Sequence, residues 1–363
     1  MRSLPEPGGP YLVGSCSHEM RDFGRATHVL DQNPGRELFI KLWYPADRFA
    51  SETCTVERLW EQLRSEPDIP GFVRLLLRPA MNMATHSYRG APYSADAGPP
   101  RILIYSHGMI SFASENTSLM EHLASRGYTV VSLQHKAQLA ELRALQRGQS
   151  EKEKQEQKAL EREIRASADE QKAALWKRYY GIASNTNRIV AGRSADIGFI
   201  VEGMESLLAA VPGLDGASSA KVIGVIGLSL GGAVATEYAK GGGAGASCVV
   251  NMDGGIYGTL LDAPIDGQYL MLYSEQNSGT NEAALTVSGT GALSTKAIPG
   301  TKHLNFHDIA AIYPLMKWLG IIGPASPQDV IEMRNESVSD FVSKVQERAR
   351  DSEPDHAATT GIG

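Results

Sequence analysis

Short apolar runs alternate along the chain with segments whose apolar residues recur at the helical period. Runs such as RILIYSHG (101–108) and YTVVSLQH (128–135) are apolar on both faces, which is typical of strands buried in a parallel sheet. The predicted strands are 36–46, 101–108, 128–135, 221–229, 246–254, 267–275 and 295–300. The alternation predicts an α/β fold with a mostly parallel central sheet and helices on both of its faces.

The helical periodicity lies between and after these strands. It predicts helices over 118–127, 185–209, 232–240, 306–320 and 327–349. Residues 1–35 are rich in Gly and Pro and are predicted to be irregular. A chain of 363 residues fits one α/β domain with insertions, so we interpret 1–352 as a single domain and 353–363 as a disordered tail.

The segment EKEKQEQKALEREIRASADEQK (151–172) differs in kind from its surroundings. It carries seven acidic and six basic residues and has no Gly or Pro. This composition is typical of a solvated helix with ion pairs along its surface. We interpret 137–184 as a charged helical insertion on the surface, and a cap that partly covers the active site is the alternative.

Composition narrows the class of protein. The net charge of -6 argues against a nucleic-acid partner. Cys16, Cys54 and Cys248 are too few and too scattered for a disulfide framework or a zinc site. No apolar run approaches the roughly 18 residues of a membrane span, and MRSLPEPGGPYLVG lacks the apolar core of a secretory signal. A cytoplasmic protein is therefore expected.

A candidate nucleophile lies where a predicted strand meets a predicted helix. Gly227-Leu228-Ser229-Leu230-Gly231 is a G-x-S-x-G pattern in the strand–turn–helix context of a nucleophile elbow. Glycine flanks the serine because side chains there would clash with neighbouring backbone. The Leu230 N–H begins a helix and can donate to an oxyanion. The alternative is a Gly-rich turn that merely starts a helix.

A serine hydroxyl needs a base, and in this fold the chain order is serine, acid, histidine. Three histidines follow the serine. His356 lies in the polar tail, and His307 lies one turn into the next predicted helix, where a supporting role is expected. His303 follows the last predicted strand, where a base would overhang the elbow, and it is the predicted base.

Two acidic residues can orient the imidazole. Asp253 and Glu275 each end a predicted strand after the serine, and spacing alone leaves both open as the acid.

The second oxyanion donor is expected in the YSHGMISF loop, where Gly108 permits a tight turn and the Met109 N–H can face the substrate oxygen. His107 precedes this turn and is predicted to brace the loop.

In their order along the chain, these motifs resemble the platelet-activating-factor acetylhydrolases of the plasma and intracellular type II kind, within the α/β-hydrolase superfamily. The resemblance spans about residues 9–345. It includes the motifs KLWYPA, YSHGMISF, VIGLSLGGA, VVNMDGG, LYSEQ and GTKHLNFHDI. The most specific pieces are the SHG loop and the G-x-x-H-x-N-F-x-D pattern in the last motif.

The resemblance assigns roles that spacing left open. It implies the nucleophile Ser229, the base His303, the acid Asp253 rather than Glu275, and an oxyanion hole formed by the Met109 and Leu230 N–H groups. It also implies hydrolysis of short or oxidised acyl chains from phospholipid esters, without calcium, another metal or any cofactor. Departures from the family lie around the acyl pocket, where the elbow reads Leu-Ser-Leu instead of His-Ser-Phe.

We therefore expect a serine ester hydrolase that cleaves short, acetyl-like esters of a small molecule or lipid. The alternatives are an esterase, a polyester hydrolase or an acyltransferase acting on a small-molecule or secondary-metabolite substrate. A non-catalytic binding protein with the same fold would commonly lack a triad residue, and none is missing here. The apolar stretch GFVRLLLRPAMNM (71–83) is a candidate for weak membrane-surface contact, or it packs on the body of the protein.

Overall fold

The computed structural model describes most of the chain. It covers residues 3–352, except 27–33, 60, 63–68, 70, 77, 79–82, 136–139, 144, 146–149, 215–219, 244, 266 and 288–291. The predicted tail 353–363, which contains His356, lies outside the described residues. Parts of the predicted insertion and of the stretch 71–83 also lie outside them.

One sheet contains all the strands whose bounds the described residues set. They are β1 (Leu12–Ala26), β2 (Pro34–Ala46), β3 (Val56–Arg58), β4 (Ala84–Arg89), β5 (Arg101–Ser106), β6 (Tyr128–His135), β7 (Lys221–Leu228), β8 (Cys248–Met252), β9 (Gln268–Ser274) and β10 (Ala292–Ile298). Their order across the sheet is β10-β9-β8-β7-β5-β6-β2-β1-β4-β3. Strands β5 to β10 are parallel throughout, and β2 joins β6 antiparallel. The predicted α/β fold with a mostly parallel sheet is confirmed.

Helices cover both faces of this sheet. The α-helices include Ala50–Thr53, Gly71–Leu76, Thr117–Ser125, Glu151–Ala166, Asp169–Gly181, Ser184–Glu202, Met204–Leu208, Leu230–Lys240, Glu282–Val287, Ile309–Ile312 and Pro327–Ser352. Short 3₁₀ helices lie at Ala95–Ala97, Glu275–Asn277, His303–Phe306 and Pro314–Lys317. Most of the predicted helices are therefore present with small differences at their ends.

Strand β5 shows how two cores share one sheet. Its side chains alternate between the faces, so Ile102 and Ile104 join one buried cluster, whereas Leu103 and Tyr105 join the other. The first cluster includes the helices Ser184–Glu202 and Leu230–Lys240, and the second includes Thr117–Ser125 and Pro327–Ser352. Each fully buried aliphatic side chain contributes about 1.5–3 kcal/mol, so this double burial holds the central strands in place.

The N-terminal region differs from its prediction. Residues 1–35 were expected to be irregular, but β1 spans Leu12–Ala26 and β2 begins at Pro34. Most side chains of β1 after Ser15 are exposed or half-buried, so the strand carries little apolar pattern. Its conformation follows from long antiparallel pairing with β2, an interaction between strands that local propensity does not encode.

The single helix predicted over 306–320 is also wrong. This stretch contains the short helix Ile309–Ile312 followed by the 3₁₀ helix Pro314–Lys317. Proline lacks an N–H donor and its ring clashes with the preceding turn, so Pro314 ends the first helix. The chain then bends and exposes its apolar side chains Leu315, Trp318 and Leu319.

The charged segment forms two helices instead of one. Ser150 caps Glu151–Ala166 through reciprocal hydrogen bonds with Glu153, and the chain turns extended at Ser167 before Asp169–Gly181 begins. Leu160 and Ile164 are buried, one helical turn apart, while most of the charged side chains on this helix are at least partly exposed. The segment is an amphipathic pair of helices with one narrow apolar stripe.

Candidate active site

Ser229 has a backbone conformation that side-chain-bearing residues rarely adopt. Its φ is 57° and its ψ is -120°, at the junction of β7 and the helix Leu230–Lys240. Its N–H donates to the Met252 carbonyl at 2.9 Å, which ties the turn to β8. Such strain costs about 1–3 kcal/mol and persists only where the surroundings enforce it. The turn projects the serine into a pocket at the carboxyl edge of the sheet.

The two glycines of the elbow are fixed by close backbone contacts. A Cβ atom added to Gly227 would lie 2.0 Å from the Gly231 carbonyl oxygen. A Cβ atom added to Gly231 would lie 1.9 Å from the Ser106 carbonyl oxygen at the end of β5. Both distances are far shorter than van der Waals contact, so a side chain at either position would clash with backbone. This is the reason for glycine that was predicted from the sequence.

His303 meets a buried carboxylate. Its Nδ1 lies 2.7 Å from Asp253 Oδ2, and the Asp253 side chain is fully buried while that of His303 is 39% exposed. Asp253 follows β8, with φ of 53°, and it also accepts from the Ser274 N–H at 2.7 Å, the Ser274 hydroxyl at 3.0 Å and the Asn277 amide at 2.9 Å. These donors orient the carboxylate and stabilise its charge away from water.

Glu275 occupies a different position. It is exposed, and its carboxylate accepts from the Gly300 N–H at 3.0 Å. Its own N–H donates to the Thr301 hydroxyl at 3.1 Å. Of the two acids left open by spacing, the structure brings Asp253 to the imidazole, and Glu275 supports the loop that precedes His303. Sequence reasoning missed Ser274 and Asn277, although both lie in the LYSEQN segment, which ends β9 and forms the 3₁₀ helix Glu275–Asn277.

The loop after β5 lies directly beside the serine. A Cβ atom on Gly108 would stand 3.5 Å from the Ser229 Cβ, and Met109 lines the same pocket. The Gly108 N–H donates to Glu115 Oε1 at 3.1 Å. The Leu230 N–H begins the helix after the serine. The two N–H groups predicted as oxyanion donors therefore belong to the two backbone segments that flank Ser229.

His107 braces this loop, as predicted. Its Nδ1 donates to the Gly108 carbonyl at 2.7 Å, and its Nε2 accepts from the His135 N–H at 3.2 Å. Burial holds the pKa of His107 well below its ordinary value, with a further contribution from the Arg193 charge. The imidazole is therefore neutral, and its two nitrogens are fully engaged by backbone.

The pocket in front of Ser229 has a volume of about 210 Å³. Its walls are mainly apolar and come from Met109, Ile110, Phe112, Leu304 and Ile309. Ser111, Glu115 and His307 add a polar region, where His307 Nε2 lies 3.3 Å from Ser111 Oγ and 3.6 Å from Glu115 Oε2. Burial raises the pKa of Glu115 to about 7 and lowers the pKa of His307 to about 3.

The last helix anchors the segment that carries His303. The Arg334 guanidinium donates to the Phe306 carbonyl at 2.7 Å, to Asn116 Oδ1 at 2.9 Å and to Asp308 Oδ1 at 3.2 Å. Asp308 in turn accepts from the Ser118 N–H at 2.8 Å. These buried, charge-assisted bonds clamp the HLNFHD segment to the helices Thr117–Ser125 and Pro327–Ser352.

In the part of the chain that the structure describes, no group of three or more His, Cys, Asp or Glu side chains is arranged to hold a metal ion. No helix in this part of the chain is long and apolar enough to cross a membrane.

Fold and site together define an esterase-type hydrolase of the α/β-hydrolase fold. The family model for platelet-activating factor acetylhydrolase, isoform II, matches residues 1–362. The chain belongs to this family. A search of curated proteins found no match to the chain.

The chain was compared with two solved hydrolase structures, and one of them supports the fold. A ferulic acid esterase from Streptomyces cinnamoneus aligns with a TM-score of 0.65 and 19% identity, over 94% of this chain and 92% of that one. A dienelactone hydrolase from Anabaena variabilis aligns with a TM-score of 0.40 and 15% identity, over 84% of this chain and 95% of that one. The first supports the α/β-hydrolase fold, and the second is too distant to carry an argument.

We predict that Gly231→Ala destabilises the protein by about 3 kcal/mol or more, because overpacking against rigid backbone is costly. Gly198→Ala is the matched control, since Gly198 lies in the helix Ser184–Glu202 and an added Cβ meets nothing within 4 Å. Alanine is favoured over glycine in a helix by about 1 kcal/mol, so the control should be neutral or stabilising. Urea unfolding of both variants measures this; an unchanged midpoint for Gly231→Ala would contradict the steric account.

Proposed function

We propose that the protein is a serine ester hydrolase in which Ser229 is the nucleophile, His303 the base and Asp253 the acid. One observation carries the proposal. His303 is hydrogen-bonded to a fully buried carboxylate and lines the same pocket as a serine on a strained strand-to-helix turn. The turn is strained, and it holds the half-buried Ser229 side chain in the pocket, where a nucleophile must lie to reach its substrate.

The geometry supports acyl transfer in two stages. Ser229 Oγ attacks the ester carbonyl carbon while His303 Nε2 takes the hydroxyl proton, and Asp253 stabilises the imidazolium and holds its Nδ1–H. The Leu230 and Met109 N–H groups donate to the oxyanion of the tetrahedral intermediate. The intermediate collapses, and the imidazolium gives its proton to the leaving alkoxide. His303 then activates a water that releases the acid from the acyl-enzyme and restores Ser229.

The pocket supports a short acyl group. Its volume of about 210 Å³ is below the roughly 300–1,000 Å³ of pockets that take drug-sized ligands. Its apolar walls suit an acetyl-like chain better than a charged one. Family membership favours a phospholipid or another lipid ester as the substrate. The alternatives are hydrolysis of a polyester, hydrolysis of a small-molecule ester, and acyl transfer to an alcohol. Analysis of the reaction products separates them.

We further infer that residues 1–352 form one domain in which the insertion packs beside the acid loop. Tyr180, on the second insertion helix, lies edge-on to Tyr257 with ring centroids 4.7 Å apart, and it stacks on Trp176 at 5.5 Å. Its hydroxyl donates to Asn281, whose amide donates to the Gly254 carbonyl directly after Asp253. Of the two interpretations of the insertion, these contacts favour a partial cap and argue against a helical insertion that only lies on the surface.

Exposed apolar side chains near the pocket support contact with a lipid surface. Phe72 and Leu75 are 65% and 62% exposed on the helix Gly71–Leu76. Ile69, two residues before this helix, belongs to one buried cluster with Phe112, and Phe112 lines the pocket. Interfacial placement would bring lipid esters to the site without a membrane span. The expected cytoplasmic location remains a prediction.

For the chemistry, we predict that wild-type protein hydrolyses p-nitrophenyl acetate and that rates fall as the acyl chain lengthens to palmitate, because the pocket is small. Ser229→Ala should lower kcat by about 10⁶-fold, the loss seen when a triad nucleophile is removed. Ser51→Ala, at an exposed serine on another helix, is the control and should be unaffected. Initial rates of hydrolysis across the ester series test both predictions. Activity of Ser229→Ala equal to that of wild type would refute the assigned nucleophile.

For the acid, we predict that Asp253→Asn lowers kcat by about 10⁴-fold, since an amide favours the wrong imidazole tautomer. Glu275→Gln should stay within a few-fold of wild type, because its carbonyl oxygen can still accept from the Gly300 N–H. Steady-state kinetics on p-nitrophenyl acetate compare the two. A larger loss from Glu275→Gln would reverse the assignment.

For the lipid surface, we predict that Leu75→Asp reduces sedimentation with phosphatidylcholine liposomes several-fold, because a charge is costly to bury in the interface. Phe49→Asp is the matched control, since Phe49 is 50% exposed and follows the end of β2 that lies away from the pocket. Both variants should keep wild-type rates on soluble esters. Identical sedimentation of all three proteins would rule out contact through this helix.

A further inference from the structure

A buried arginine reaches the loop that carries Met109. Arg193 lies on the helix Ser184–Glu202 and is fully buried. Its Nη1 donates to the Gly108 carbonyl oxygen at 3.4 Å, and its Nη2 donates to Glu141 Oε2 at 2.8 Å. Burying a guanidinium costs free energy unless its hydrogen-bond partners are well placed. The orientation of this one toward a backbone carbonyl beside Ser229 therefore suggests a function at the site.

The Gly108 carbonyl and the Met109 N–H belong to one peptide group. That group is planar and trans, so its C=O and N–H point in opposite directions. Fixing the carbonyl from one side therefore aims the N–H toward the other side. The carbonyl is held by His107 Nδ1 at 2.7 Å and by Arg193, and the Gly108 N–H is held by Glu115. The peptide cannot rotate without breaking several buried hydrogen bonds.

The charge of Arg193 adds to this orientation. A cation near the carbonyl oxygen draws electron density through the amide and makes the N–H a stronger donor. The His107 imidazole on the same carbonyl is neutral, so the guanidinium is the charged donor of the pair. In a buried site salt screens this effect much less than it would at the surface.

We propose that Arg193 is a positioning residue for oxyanion stabilisation, which it provides by fixing and polarising the Gly108–Met109 peptide, and that Glu141 holds its guanidinium in place. The inference rests on the proposed function and deepens it. It accounts for a buried ion pair that neither the triad nor the oxyanion donors require.

The neighbouring charges are consistent with this pairing. Arg36 is bound to Asp196, with Nη2 2.6 Å from Oδ2, and lies 4.0 Å from Glu141 Oε1. Glu141 is therefore the close carboxylate partner of Arg193. Glu141 also lies near the start of the predicted insertion, and the helix bearing Arg193 begins at its end. The ion pair thus joins the first part of the insertion, and the helix that follows it, to the loop beside Ser229.

The test compares Arg193→Met, which removes the charge, with Arg193→Lys, which keeps it. For Arg193→Met we expect kcat on p-nitrophenyl acetate to fall about 10²–10³-fold, the loss typical of one oxyanion donor, with KM within about two-fold. Arg193→Lys should recover at least a tenth of the wild-type kcat. Urea unfolding midpoints establish that each variant is folded under the assay conditions, and if Arg193→Met does not fold, Arg193→Lys alone should still lower kcat without changing KM.

A second readout separates positioning from general damage. An alkyl trifluoromethyl ketone forms a tetrahedral oxyanion adduct with a serine nucleophile, and its inhibition constant should rise in parallel with the loss of kcat in Arg193→Met. The alcohol obtained by reducing this ketone has no carbonyl carbon for Ser229 to attack and forms no oxyanion, so it should inhibit wild type and variant equally. Unchanged kcat and ketone affinity in folded Arg193→Met, or a rise in KM alone, would overturn the inference.

Failure of the proposed function gives a different pattern. If wild-type protein does not hydrolyse the ester, or if Ser229→Ala is as active as wild type, both proposals fall together. If Ser229→Ala is inactive and Arg193→Met matches wild type, the hydrolase proposal stands and only the role of Arg193 is lost.

Discussion

The structure of the site depends on one steric constraint, the turn that places Ser229 between β7 and the helix Leu230–Lys240. Its backbone has positive φ, and the carbonyl oxygens of Gly231 and Ser106 leave no room for a Cβ at Gly227 or Gly231. The close approach to Ser106 brings the end of β5, and with it the Gly108 loop, against the start of the helix. A local requirement for glycine thus fixes the distance between the serine and the neighbouring loop.

Buried polar groups hold the remaining parts of the site to this turn. Asp253 accepts four hydrogen bonds from its neighbours, and Arg334 clamps the segment that follows His303. Arg193 performs the same task for the Gly108 loop. Because an unpaired buried charge is costly, each of these groups is stable only when its partners are correctly placed, so the networks favour a single arrangement.

Periodicity predicted the strands β5 to β9 well because they are buried on both faces and therefore consist of nearly continuous apolar runs. The same reasoning failed for β1, whose exposed side chains carry no such signal and whose conformation comes from pairing with β2. It also failed over 306–320, where Pro314 divides a pattern that otherwise looks helical. The segment 151–172 was predicted as one helix, but it is divided between two helices at Ser167, where no Gly or Pro marks the break in the sequence.

The sequence by itself determined the fold class, the elbow around Ser229 and the histidine after the last strand, because each is encoded by contiguous residues. It left Asp253 and Glu275 equivalent, since both end strands at the same edge of the sheet. Only the tertiary structure brought Asp253 to His303 and turned Glu275 toward Gly300. Ser274, Glu115 and the Arg193–Glu141 pair were likewise invisible in the sequence, because contacts between distant segments depend on how the helices and loops pack and not on local pattern.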